Sequence, residues 1–345
     1  MVKVWNTILF LTFLVVITAV GVYLILPPSE NLTLRVFHAG SLTIPLNKVK
    51  NIFEAKYPNV KVLLEPSGSV EAIRKVVDYG KSADVVAVAD YKLIENLMYP
   101  NYTNFYIKFA VNNLVLAYTN KSRYAEEISK ENWYTILGRK DVRFGFSDPN
   151  KDPCGYRSLV ALALAQIYYE KPSLFKCLIE DYTNIGLKVE GQNYTIIVPE
   201  KLSVKGSKVV IRAKSVDLLA LVESGIIDYA FEYKSVAVQH KLNFVEFPPQ
   251  INLGSPEYEK FYSKVQVKLL AGSKNEQVIV ASPIVYGITI PKNAKNPELG
   301  VKFVTIVLGV KGKSIFKDSG QPPILKPLGY GKIPKPLLPY VKLEE

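Results

Sequence analysis

Four times along the chain a strand-like apolar run ends in a short turn of small or polar residues and passes directly into a helix start. The turns are Gly40-Ser41, Ser67-Gly68-Ser69, Asp152-Pro153-Cys154 and Lys214-Ser215. This alternation restricts the chain to open α/β sheets, in which ligands bind beyond the carboxyl ends of the strands. Helix amino termini present unpaired N–H groups and a positive dipole end, so several of them brought together form an anion site. Ser hydroxyls can donate to an oxygen, and Gly lets the backbone approach closely. Each turn taken singly is explained by ordinary capping. Their repetition is what points to a site.

In chain order, Leu34-Arg35-Val36-Phe37 reads as a strand, followed by a helix carrying Leu46, Val49, Ile52 and Phe53 at helical spacing. Val60 to Leu64 and Ala83 to Ala89 read as further strands, with a helix between them carrying Ile73, Val76 and Val77 on one face. Residues 105–119 are two strand-like pieces separated by Asn112-Asn113, as in a crossing segment. Short helices are expected from Asn132 to Leu137 and from Pro172 to Glu180. Val142 to Phe146 is a strand leading into the helix from Pro153 to about Tyr168, with Asp152 as N-cap and Pro153 at the first helical position. Residues 183–210 read as a β-ribbon excursion. Val209 to Ile211 is a strand, and a helix with Leu218, Leu219, Leu221 and Val222 ends at Gly225. Ile226 to Phe231 is a strand running into Glu232, and Val236 to His240 leads away from it. Val278 to Ile290 is β-like, Pro297 to Leu308 and about Gly312 to Lys317 are helical, and the Pro- and Gly-studded tail from Gln321 is expected to wrap over a lobe surface.

With 345 residues, 48% hydrophobic and 21% charged, the chain has enough core for two lobes. Its net charge of +12 is scattered, with no run of five basic residues, and reads as a solvated basic surface that favours anions, not as a nucleic-acid footprint. Two cysteines, Cys154 and Cys177, and no CxxC make a metal–thiolate site unfavourable; either one disulfide or two buried free thiols is expected. Lys3 precedes an almost unbroken apolar run from Ile8 to Leu26, and about 20 such residues cross a ~30 Å hydrocarbon core. Residues 1–26 are therefore read as a retained single-span anchor, with a cleaved signal peptide as the alternative, and residues 27–33 as a linker. The lone basic residue before the run places the remainder outside the membrane. The sequons at Asn31, Asn101, Asn120 and Asn193 fit export.

Two acids complicate a simple anion pocket. Asp152 sits at a helix start and Glu232 ends a strand. A carboxylate facing a dianion is repulsive unless it meets a proton or a metal centre. The pair therefore points to a protonated oxoanion or to carboxylate ligation of a hard, high-valent metal. A hydrolase built on Ser41 with His38 or His240 is disfavoured: the chain has two histidines and no GxSxG elbow. A membrane-anchored interaction protein without a small ligand is a further alternative, which predicts a filled or absent cleft.

The segments VFHAGSL, EPSGSVEAIRKV, ADVVAVAD, FSDPNKDPCGYRSL, DLLALVESGIIDYAFEYKSVAVQH and GQPPI, spread over almost all of the chain after residue 34, resemble the archaeal-type molybdate/tungstate-binding protein of an ABC transporter. FEYKSVAVQH and DPCGYRS together carry the specificity; HAGSL alone is shared with wider binding-protein families. The resemblance implies an α/β, type II periplasmic-binding-protein-like fold: two α/β lobes joined by two crossing strands, with the ligand in the inter-lobe cleft. Residues 34–112 with 236–345 would form one lobe and 113–235 the other. It implies an extracellular, non-catalytic, monomeric protein that binds no nucleic acid, needs no cofactor and hands tungstate or molybdate to a membrane permease. The implied oxoanion contacts are Gly40, Ser41 and Ser69 from the first lobe, and Asp152, Pro153, Cys154, Lys214, Ser215 and Glu232 from the second. Asp152 and Glu232 would be the carboxylates on the tungsten or molybdenum centre, with Asp148 as the rival to Asp152, which is preferred because it belongs to the DPCGYR motif. Asp152 should then point into the cleft toward Glu232 and should not spend both oxygens capping its helix. A protein of the same fold for phosphate or sulfate is the alternative.

Overall fold

The computed structural model describes residues 32–344, so the apolar amino-terminal run and Asn31 lie outside the described residues. The first half-lobe follows the expected alternation. It runs β1 (Leu32–Ala39), a 3-10 turn (Gly40–Leu42), α1 (Thr43–Lys56), β2 (Val60–Ser67), α2 (Ser69–Val77), β3 (Val85–Val88), α3 (Tyr91–Leu97) and β4 (Phe105–Val111). Helix α3 was not expected from the pattern; Asp90 caps it by accepting the Lys92 N–H at 3.0 Å. The chain crosses at Asn112-Asn113 into β5 (Leu114–Tyr118).

The second lobe contains α4 (Trp133–Gly138), β6 (Phe144–Ser147), α5 (Pro153–Tyr168), β7 (Gly186–Glu190), β8 (Asn193–Pro199) and β9 (Val209–Arg212). A 3-10 turn (Ser215–Leu218), α6 (Leu219–Glu223), β10 (Tyr229–Tyr233), α7 (Lys234–Gln239), β11 (Asn243–Glu246), α8 (Glu259–Tyr262), β12 (Val265–Ala271) and β13 (Gln277–Val280) follow. The chain then returns with β14 (Val285–Thr289), α9 (Pro297–Leu308), α10 (Val310–Asp318), β15 (Pro323–Gly331) and β16 (Lys342–Leu343).

The first sheet has the order β16-β15-β4-β14-β3-β1-β2, the second β11-β5-β10-β6-β9, and a third β13-β12-β8-β7. Parallel pairs β1·β2 and β1·β3 in the first sheet, and β10·β6 and β6·β9 in the second, bring strand carboxyl ends together in each lobe. Helix α5 packs against β6 and β10 on one side and β8 and β12 on the other, so every residue from Pro153 to Gln166 is buried.

Five readings need correction. Residues 236–345 do not all return to the first lobe, because β11 pairs with β5, and β12 and β13 join the third sheet. The return crossing lies between Val280 and Val285. The β-like run from Val278 to Ile290 is two strands in two sheets, interrupted where Pro283 has no N–H for a ladder. The tail does more than wrap: β15 pairs antiparallel with β4, inside the first sheet. The helix expected from Pro172 shrinks to a π-type turn at Lys176–Glu180. Both thiols are free, Cys154 buried and Cys177 exposed, which matches neither the disulfide nor two buried thiols.

Candidate functional site

Strand β6 delivers its chain to Asp152, whose extended backbone (φ −136°, ψ 127°) makes it the N-cap of α5, with Pro153 at the helix start. One oxygen, Oδ1, accepts the Cys154 N–H at 3.3 Å, and Oδ2 accepts the Ser215 N–H at 2.8 Å. Only one oxygen therefore caps its own helix; the other ties it to the turn after β9. Glu232, at the end of β10, is fully buried. Its Oε2 accepts the Tyr233 N–H at 3.0 Å, and its Oε1 has no hydrogen-bond partner among the described residues. Burial pushes the Glu232 carboxyl up to about 8; the Tyr233 N–H opposes the shift and the charge of Asp152 adds to it. Burial also raises Asp152, against the N–H groups of Ser215 and Cys154. Two acids that repel each other thus lie together where water is excluded. The Ser147 side chain, buried beside them, also opposes the rise at Asp152.

The first lobe supplies the opposite wall. Ser41 and Ser69 are buried. Ser41 Oγ lies 3.1 Å from the Tyr286 hydroxyl, and Ser69 Oγ accepts the Ala89 N–H at 3.0 Å. The lobes touch at these turns. The Val70 N–H donates to the Lys151 carbonyl at 3.2 Å. A Cβ on Gly68 would stand 2.2 Å from that same carbonyl oxygen, and one on Gly40 would stand 3.1 Å from a Val216 methyl. Only glycine at 68 lets the walls meet, so the cleft is closed at this turn. Lys214 stands at its edge, with its ammonium 3.4 Å from Asp217. One rim is lined by Arg74, Lys75, Lys81 and Lys151 with Glu71.

Two groups of residues escaped the sequence reading. Tyr156 and Arg157 are buried and clamp the lobes together. Arg157 Nη2 is 3.1 Å from Asp90 Oδ2, its Nη1 donates to the Ala89 carbonyl at 2.7 Å and to the Tyr233 hydroxyl at 2.8 Å, and the Tyr156 hydroxyl donates to Asp90 at 2.5 Å. The available signal was an acid closing β3 and a cation on the first turn of α5. The second group is Asn112, Tyr286 and Gln321, which converge on Ser41 from the crossing segment, β14 and the loop before β15. His38 donates its Nδ1–H to the Ala39 carbonyl at 2.8 Å, and burial lowers it to about 4, so it stays neutral. No group of three or more His, Cys, Asp and Glu that would hold a metal ion occurs among the described residues.

The family model for bacterial extracellular solute-binding proteins matches residues 34–321. The chain belongs to this family. Among relatives of this solute-binding protein, the molybdate/tungstate-binding protein WtpA of Pyrococcus abyssi is 48% identical over 320 residues, covering 90% of each chain. The periplasmic molybdate-binding protein of Azotobacter vinelandii superposes with a TM-score of 0.55 at 16% identity, over 84% of this chain and 98% of that one. The sulfate-binding protein SubI of Mycobacterium tuberculosis reaches 0.57 at 12% identity, over 85% and 87%. At such identities the structures speak for the fold alone: the type II periplasmic-binding-protein architecture of two α/β lobes joined by two crossings.

Proposed function

We propose that this solute-binding protein captures tungstate or molybdate outside the membrane and delivers it to an ABC-transporter permease, without catalysis. The observation that carries the reading is the pair Asp152 and Glu232, both buried, with Glu232 Oε1 unpartnered in a closed cleft. A tetrahedral anion with a saturated centre, such as sulfate, gains nothing from two buried carboxylates and is repelled by them. Tungsten and molybdenum centres accept further oxygen ligands, so the same carboxylates become bonds. Ser41, Ser69 and the Gly40 N–H would hold the oxo groups, while the N–H groups of Cys154 and Ser215, which donate to Asp152, would aim its carboxylate, and Pro153 would shape the turn between them. Lys214 would act from the rim, where its charge, with the basic rim residues, attracts anions before closure. The apolar segment of residues 1–26 would export or anchor the protein. It would work as a monomer that closes because the closed form binds the ligand more tightly.

The test is calorimetric titration with tungstate, molybdate, sulfate and phosphate, with X-ray absorption of the tungstate complex. Six-coordinate tungsten is expected in the native protein and loss of that coordination in Asp152→Asn and Glu232→Gln. Binding of phosphate or sulfate but not of tungstate or molybdate would sink the reading, as would unchanged spectra in both variants.

A further inference from the structure

The hydrogen-bond directions around Ser41 can be assigned from groups that have only one possible role. The backbone N–H groups of Asn113 (2.9 Å) and Ser235 (3.3 Å) donate to one side-chain atom of Asn112, which must therefore be its oxygen. The other atom is then the amide nitrogen, and it donates to Ser235 Oγ at 2.7 Å and to the Tyr286 hydroxyl oxygen at 2.9 Å. The backbone carbonyl of Ser41 can only accept, so the Gln321 atom 2.9 Å from it is nitrogen, and that nitrogen also reaches the Tyr286 oxygen at 3.3 Å. Tyr286 thus accepts two N–H bonds and has its own proton left. Burial raises its pKa, so the proton stays on at neutral pH. The one remaining partner of the phenol among the described residues is Ser41 Oγ, at 3.1 Å. Ser41 accepts that proton, and its own O–H is left to point elsewhere. Ser69 reaches the same state independently, because its oxygen accepts the Ala89 N–H.

We infer that Tyr286, held by Asn112 and Gln321, is a positioning residue that fixes the Ser41 hydroxyl as a hydrogen-bond donor to the bound oxoanion. The inference rests on the reading that Ser41 touches the oxoanion. A freely rotating serine offers an anion either a proton or a lone pair; the relay removes the second, repulsive choice before the ligand arrives. Asn112 lies in the crossing segment, its N–H donating to the Ile284 carbonyl of the return crossing at 3.3 Å. The donor state of Ser41 is therefore set at the hinge.

The experiment is calorimetric titration with sodium tungstate of the native protein, Ser41→Ala, Tyr286→Phe and the double variant. Tyr286→Phe should weaken tungstate binding about tenfold in the native background, the worth of one well-placed hydrogen bond, and leave affinity nearly unchanged when Ser41 is already alanine. Equal losses in both backgrounds would mean that Tyr286 acts through packing, and would overturn the relay. Asn112→Asp gives a second test should Tyr286→Phe fail to fold. It presents an acceptor where Tyr286 now receives a proton, so the phenol turns and Ser41 donates inward. Tungstate affinity should fall, and fall only while Ser41 is present; unchanged affinity would overturn the inference. Absence of both tungstate and molybdate binding by the native protein would sink the functional reading itself, and the relay with it, whereas retained binding without coupling sinks the relay alone.

Discussion

At the scale of single residues, Glu232 has the clearest signature. Its carboxyl is lifted to about 8 from an ordinary value near 4.5, first by burial. Between those values the folded protein holds a proton that the unfolded chain has lost, so stability falls as pH rises through this window. Chemical unfolding of the ligand-free protein from pH 6.5 to 8, above the His38 window, should show that decline, and Glu232→Gln should remove it. A decline that survives in the variant would place its origin elsewhere. His38, lowered to about 4, contributes with the opposite sign, since its proton is lost on folding. The comparison with Glu232→Gln isolates the carboxyl from it. The places of Asp152 and Glu232 at a helix start and a strand end were legible in the sequence, because the Ser and Gly turns around them mark those ends. The polar contacts of Tyr286 were not, because it arrives from β14, far along the chain from Ser41, and nothing local marks its partner.

At the scale of elements, the strand–turn–helix units were readable because apolar spacing and turn chemistry are local. The covering of α5 was not. Its first turn looks like any helix start, and only the pairing of β8 with β12 shows that its outer side is enclosed. That enclosure converts Arg157 from a surface cation into half of a buried ion pair with Asp90, the two side chains 3% and 4% exposed. Replacing Arg157 by Met should cost about 3–5 kcal/mol in urea unfolding, because Asp90 is left charged and unpaired between the lobes. A loss below about 1 kcal/mol would mean that water reaches Asp90 and that the pair behaves as an exposed one.

At the scale of the molecule, the closed cleft depends on backbone meeting backbone at Gly68 and Lys151. Gly68→Ala puts a methyl 2.2 Å from the Lys151 carbonyl, yet the residue itself is extended (φ −65°, ψ 148°), a conformation alanine adopts freely. The variant should fold with near-native stability but weaken tungstate binding about tenfold or more and stay expanded in small-angle scattering with ligand present. Native compaction on adding tungstate would show that the turn yields. The lobe boundary was the least legible feature at this scale, since β11 resembles any short strand and declares its sheet only by pairing with β5. The sheet order has one more outcome. β14 sits between β3 and β4, pairing Gly287 with Val88 and Ile288 with Ile107, so the middle strand of the first sheet is among the last parts of the chain to be made. The second lobe is continuous and can assemble as its residues appear. The first must wait with β3 and β4 unpaired on facing edges until residue 285 follows, which makes it the late, slow-folding and aggregation-exposed half of an exported chain.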